Sequence, residues 1–139
     1  MAFRDFVERT DDVPISLLVR RACASDLSDE LAAAYDAPFP DAASKAGARA
    51  FPLMLPLRPA DEGAAEGQRV LAALREDTRP TLMLWADADP VLPLETGRRF
   101  ARAIGRAEPE VVEGAGHFLQ EDAGERIGRR IAEWLDESG

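Results

Sequence analysis

Only two stretches of this 139-residue chain read as β-strands, and they limit the fold more than any other feature. The run "TLMLW", residues 81–85, is continuously apolar, as expected of a strand buried on both faces of a parallel sheet. Further on, "PEVVEG" gives a second, shorter strand. Helical patterns surround them. Residues 68–77, "QRVLAALRED", place Val70, Leu71 and Leu74 at helical spacing. The segment "ETGRRFARAIG" puts Gly97, Phe100, Ala101 and Ile104 on one face and ends at Gly105, a glycine suited to a helix C-terminus. A last helix is expected from about Glu121 to Asp136, with Ile127, Ile131, Trp134 and Leu135 as its apolar stripe. The order helix, strand, helix, strand, helix defines an α/β layer with right-handed parallel crossovers.

Two parallel strands leave two open edges, whereas parallel sheets are built from several strands and covered on both faces. The chain is therefore expected to be part of a larger fold. A compact domain of this length buries roughly two thirds of its unfolded surface, provided it forms a core at all. No internal repeat or low-complexity tract supplies the missing strands.

The first sixty or so residues differ in character. Patches such as "PISLLVRRA" and "SDELAAAYD" are helical, and prolines crowd the bends in "APFPD" and "AFPLMLPLRP". In the second patch Ser28 is placed to cap a helix N-terminus, with Asp29 and Glu30 at its positive end and Leu31 opening the apolar face. Pro38 and Pro40 stop that helix. The organisation expected is a helical, lid-like or cap segment over residues 1–60, followed by an α/β core segment over 61–139.

Charge and cysteine usage narrow the function. A net charge of −9 repels nucleic-acid phosphates and anionic membrane surfaces, and favours small neutral ligands. A lone cysteine, Cys23, makes neither an internal disulfide nor a cysteine-based zinc site, so no metal or cofactor is expected and the chain reads as cytoplasmic. The N-terminal "MAFRDFVERTDD" has no apolar core of signal-peptide length, and no segment approaches the ~18 apolar residues of a membrane span.

The chemistry concentrates in two loops. Asp89 in "ADADP" follows the first strand and His117 in "GAGHFLQED" follows the second, so both leave the carboxyl ends of neighbouring parallel strands. That edge is where α/β sheets place active sites. A histidine of pKa ~6.5 exchanges protons at neutral pH, and a carboxylate on its other nitrogen fixes the tautomer and stabilises the imidazolium. Asp87 rivals Asp89, but it lies nearer the strand end and has a ready explanation as a turn-capping or helix-side residue. The alternative for His117, the only histidine, is a loop side chain bonded to backbone.

The phrases "YDAPFPD", "KAGARAFPLMLP", "ADADPVLP" and "GAGHFLQED", in this order, resemble the C-terminal half of haloalkane dehalogenases of the α/β-hydrolase fold. The resemblance runs from about Val19 to the end. Its first two phrases are specific, whereas the Asp and His loops are shared with epoxide hydrolases and esterases. It implies a partial α/β-hydrolase fold in which a helical cap segment precedes two parallel strands with flanking helices. Within it Asp89 matches the acid of a catalytic triad, with Ala86 where glycine is usual, and His117 matches the general base. The implied reaction is cleavage of a carbon–halogen bond by an aspartate nucleophile, then hydrolysis of the resulting ester by water activated by histidine. The implied partners are a halogenated alkane and water.

The chain also departs from the family. No glycine-flanked Asp or Ser elbow is present; the frames "GAAEG" and "GERIG" hold Glu66 and Arg126 in their central regions and lie in helical contexts. The tryptophan that follows the nucleophile and the oxyanion-hole segment are missing, and the cap tryptophan of some members aligns near Cys23. Trp85 lies in a core strand and Trp134 on a core helix face, so neither replaces a halide ligand and the halide site is unassigned. The isolated chain is accordingly expected to lack dehalogenase activity.

Other residues have plainer readings. Cys23 is expected to be a small buried residue and not a nucleophile, and Tyr35 a packing residue and not a proton donor. Arg98, Arg99 and Arg102 form a solvated helix face. Two alternatives stay open: an epoxide hydrolase or esterase sharing these loops, and a non-catalytic interaction module whose open sheet edge pairs with a partner or a second copy.

Overall fold

A computed structural model describes residues 2–138, which form seven helices and two strands. Two compact units share them: Met1–Leu18 with Ser28–Val70, and Val19–Leu27 with Leu71–Gly139. Among the described residues no helix is long and apolar enough to cross a membrane.

The first unit holds α1 (Ala2–Arg9), α3 (Asp29–Asp36) and α4 (Ala46–Met54), together with the first turn of α2 (Ile15–Ala22) and the start of α5 (Ala64–Glu76). No helical pattern is assigned to the charged N-terminus from sequence, yet α1 forms and packs on α4, with Val7 fully buried. Ser28 caps α3 as expected, its hydroxyl accepting the Leu31 N–H at 3.2 Å. The buried face of α3 is carried by Ala32, while Leu31 stays 45% exposed. Pro52 lies inside α4 and not at a bend; its missing N–H leaves the Ala48 carbonyl without its helical donor.

In the second unit β1 (Leu84–Ala86) and β2 (Glu110–Val112) pair in parallel, Leu84 opposite Glu110, Trp85 opposite Val111 and Ala86 opposite Val112. The first strand is shorter than the apolar run that encodes it. Thr81 is exposed and Leu82 to Trp85 are half-buried, so the expected burial on both faces is not met within the run; the buried residue of β1 is Ala86, which follows it. Strand conformation is limited here by the ladder, which spans three residues because β2 begins at Glu110. Helix α6 (Leu94–Ala103) joins the strands and contacts β1. Gly97, Ala101 and Ile104 of its expected inner face are buried, whereas Phe100 is 40% exposed.

The end of α6 is built as foreseen. Gly105 takes φ +68°, and the N–H groups of Gly105 and Arg106 turn back to the carbonyls of Arg102 and Ala101 at 3.2 and 2.9 Å. This Schellman arrangement needs a residue without the Cβ penalty of the left-handed region. Helix α7 (Leu119–Ser138) begins slightly before its expected start and is interrupted at Ala123, where φ is −145° and ψ 23°. Its Ile127 packs with Leu84 and Leu119 against the buried Ala86, Val112, Ala115 and Ala123. Beyond that point the expected stripe opens: Ile131 and Leu135 are exposed and Trp134 is half-buried.

Candidate functional site

The parallel pairing of β1 and β2 sends both following loops off the same sheet edge, which brings Asp89 and His117 together. His117 Nδ1 lies 2.9 Å from Asp89 Oδ2, a distance at which Nδ1–H donates to the carboxylate. That contact leaves the neutral ring's lone pair on Nε2. The Asp89 side chain is only 8% exposed, against 33% for His117. The carboxylate is inward and held; the ring is partly open.

Asp89 is held from its own loop. Its Oδ1 accepts the N–H groups of Val91 and Leu92 at 2.7 and 2.8 Å, while Oδ2 faces the histidine. Burial pushes the carboxyl pKa up, but the Leu92, His117 and Val91 donors outweigh burial and hold it below the usual carboxylate value. An aspartate that remains charged through neutral pH can stabilise an imidazolium beside it.

The loop of His117 is fixed along its backbone. Gly114, at φ +69°, donates its N–H to Asp87 Oδ1 at 2.7 Å. Ala115 O accepts from Ala88 N at 3.0 Å, Gly116 N donates to Asp122 Oδ2 at 2.8 Å, and His117 N donates to Ala22 O at 2.7 Å. Gly116 is buried so closely that a Cβ there would lie 2.4 Å from Ala22 O and 2.7 Å from Ala24 N. Glycine is required at this point by the approach of another backbone segment.

Asp122 is not singled out in the sequence, and Trp85 is read there only as a core-strand residue. Asp122 accepts N–H groups of Ala24, Ser25 and Gly116, each at 2.8 Å, and the Ser25 hydroxyl. Burial raises its pKa, but these donors overcome burial and hold it at about 2. Trp85 donates its indole N–H to Leu92 O at 2.8 Å and lays its ring on Gly97. With that bond made, its N–H is engaged within the loop. The only signals in sequence were an aspartate following a histidine loop and a tryptophan ending an apolar run.

A small cavity of about 180 Å³ opens at the pair, lined by Trp85, Ala86, Asp89, Leu92, His117 and Leu119. Its wall is mostly apolar, and Asp89 and His117 are its ionisable groups. Such a wall suits a small neutral ligand better than an ion.

The remaining candidates fall outside the pair. Cys23 is a free, half-buried thiol. Burial, then the charges of Asp122 and Glu121, raise its pKa, which opposes formation of a thiolate nucleophile. Tyr35 is half-buried in α3 of the first unit. On α6, Arg98 and Arg102 are met by Glu95 and Glu108 at 2.6 to 3.9 Å, a solvated ion network and no anion site. Glu66 and Arg126 lie within α5 and α7, so neither glycine frame forms a strand-to-helix elbow.

Residues 2–130 match the model of the alpha/beta hydrolase family, and the chain belongs to that family. Within it the similarity is to haloalkane dehalogenases. The chain is 34% identical over 134 residues to the haloalkane dehalogenase of Mycolicibacterium paratuberculosis, covering 96% of itself and 44% of that protein. Against that of Psychrobacter cryohalolentis it is 31% identical over 144 residues, covering 98% of itself and 46% of the relative. The structure of haloalkane dehalogenase DpaA from Paraglaciecola agarilytica superposes with a TM-score of 0.81 at 29% identity, over 92% of this chain and 44% of that one. DbeA from Bradyrhizobium elkani does so with a TM-score of 0.77 at 28% identity. The chain thus spans about 44% of the relatives it matches, and the expected partial α/β-hydrolase fold is borne out.

Proposed function

We propose that this chain contributes the acid and base of a haloalkane dehalogenase-type hydrolysis, with Asp89 as triad acid and His117 as general base. The observation that carries the reading is the 2.9 Å contact between His117 Nδ1 and Asp89 Oδ2 at the mouth of a mostly apolar cavity. In this scheme a carboxylate displaces halide from an alkyl carbon, forming a C–O ester bond as the C–X bond breaks. His117 Nε2 then takes a proton from water. The resulting hydroxide attacks the ester carbonyl, releasing the alcohol and regenerating the carboxylate.

No residue of this chain is assigned as that nucleophile, so the chain alone is expected to release no halide in sustained turnover. Residues 1–60 are read as a segment of the helical cap and 61–139 as part of the hydrolase core. Both loops of the pair follow residue 61, and the elements before it are helical. We extend the reading to self-association through the open side of the two-stranded sheet; the Paraglaciecola agarilytica relative is described as tetrameric. Sedimentation of the chain across concentration checks this part.

A chimera tests the chemistry. The chain is joined to the portion of the Mycolicibacterium paratuberculosis relative that it does not match, and halide release is followed with 1-bromobutane. Continuous release is expected from the chimera, and at most one equivalent from its His117→Ala form, in which the ester forms but is not hydrolysed. Full turnover without His117 would overturn the assignment of the base.

A further inference from the structure

We propose that Asp122 is a positioning residue for His117: it buckles the histidine loop to residues 22–25 and thereby keeps the imidazole aimed at Asp89. This rests on the reading of His117 and Asp89 as a working pair, but its test does not depend on catalysis.

The argument begins with where the donors come from. Asp122 lies in the first turn of α7, and its Oδ2 accepts from Gly116, the residue directly before the histidine, at 2.8 Å. The same oxygen accepts from Ala24 and the other from Ser25, each at 2.8 Å, and these partners are 98 and 97 residues away in the chain. One carboxylate therefore ties two distant backbone segments to each other. The Ser25 hydroxyl adds a further donor. Charge-assisted hydrogen bonds of this kind are roughly twice as strong as neutral ones.

The joint acts on His117 directly. Its backbone N–H is seated on Ala22 O at 2.7 Å, in the segment that Asp122 holds. The near-contact of Gly116 with Ala22 O and Ala24 N shows that the two segments already approach as closely as backbone allows. Without Asp122, the Gly116, Ala24 and Ser25 amides lose their common acceptor, and the histidine loop loses its charged tie to residues 24 and 25. A displacement of ~1 Å is enough to break a hydrogen bond of this length or to misplace a catalytic group. Asp122 touches neither the ring nor the cavity, so its effect passes through backbone.

The chain has a single histidine, which makes the readout direct. Long-range proton–nitrogen correlation spectra of the uniformly 15N-labelled chain report which ring nitrogen carries the proton. The wild-type chain above neutral pH is expected to hold it on Nδ1, as the Asp89 contact requires. In folded Asp122→Ala the proton is expected to redistribute toward Nε2, as is also expected in Asp89→Asn, whereas Asp122→Asn, which still accepts from one side, is expected to restore Nδ1–H in part. A merely structural role predicts lowered stability with the ring still protonated on Nδ1. That outcome in the folded Ala variant overturns the proposal, as does a wild-type ring protonated on Nε2.

If Asp122→Ala does not fold, Gly116→Ala separates the same two segments with Asp122 in place, by driving a Cβ to 2.4 Å from Ala22 O. Ser25→Ala is the mildest form, removing one hydroxyl donor. Both are expected to shift the ring proton in the same direction, and an unchanged ring spectrum in either folded variant overturns the proposal. An inactive chimera with the ring proton moving as stated refutes the dehalogenase reading and leaves the positioning role intact.

Discussion

Asp87 Oδ1 accepts the N–H of Gly114 at 2.7 Å, and this one bond separates the roles of the two aspartates in the loop after β1. Asp87 clamps the loop of β1 to the loop of β2, leaving Asp89, two residues on, to face the imidazole. The rival carboxylate is thus part of the frame that sets the spacing of the pair. Its left-handed partner, Gly114 at φ +69°, turns the chain back over the sheet edge where a side chain would be strained.

The Asp89 contact predicts a specific failure for Asp89→Asn. The asparagine carbonyl can still accept from Val91 and Leu92, so the loop persists, but its NH₂ can only donate to His117 Nδ1. The ring proton is then forced to Nε2 and the base has no lone pair to offer. In the chimera, halide turnover is expected to fall by ~10⁴, the loss seen when a triad is left with the wrong histidine tautomer. Turnover within a factor of a few of wild type would show that Asp89 is not the acid.

Gly97→Ala is expected to destabilise the chain by ~1–3 kcal/mol, the cost of overpacking a close contact. The new Cβ would lie 2.4 Å from Trp85 Cδ2 and 2.6 Å from Cε3, atoms of a rigid ring fixed by its bond to Leu92 O. Denaturant unfolding followed by circular dichroism measures the loss. Unchanged stability would mean that the indole can move away, contrary to its double restraint.

Acid should weaken the fold in a defined window through Asp122. Its pKa is about 2 in the folded chain, against ~3.9 for an unperturbed aspartate. A folded-state value below the unfolded one contributes stability that is complete above ~4 and is lost as pH falls toward the folded value. Melting temperatures from pH 4 to pH 2 are expected to drop less steeply in Asp122→Asn than in wild type. Parallel profiles would show that Asp122 does not contribute in this window.

Cys23 should be a slow thiol. Burial and the carboxylates of Asp122 and Glu121 raise its pKa, so less thiolate is present at neutral pH than in a free cysteine. Alkylation by iodoacetamide at pH 7.5 is expected to be slower than that of N-acetylcysteine, and to accelerate in Asp122→Asn. A faster reaction than the free thiol would return Cys23 to the list of nucleophiles.

Much of the pair is legible in the sequence. Asp89 and His117 follow successive strand-like runs, and a parallel crossover necessarily brings such loops to one edge. Ser28 and Gly105 were legible as helix ends because capping depends on neighbours only a few residues away. Burial was less so. Phe100 shares a helical face with Gly97 and Ala101, yet it is 40% exposed while they are buried, because periodicity marks a face but not what covers it. Strand β1 takes up only Leu84 and Trp85 of its apolar run and ends at Ala86 for the same reason: its extent depends on the strand beside it.

Local chemistry in the sequence therefore determined the helix and strand order of the second half, the caps and the two residues that meet at the sheet edge. Tertiary structure alone decided what holds them there. Asp122 draws its donors from residues 24 and 25 as well as 116, Asp87 draws on Gly114, and Trp85 commits its N–H to Leu92. The reason is physical: hydrogen bonds are satisfied by whichever donors folding brings within about 3 Å, and for groups nearly a hundred residues apart no sequence period records that approach.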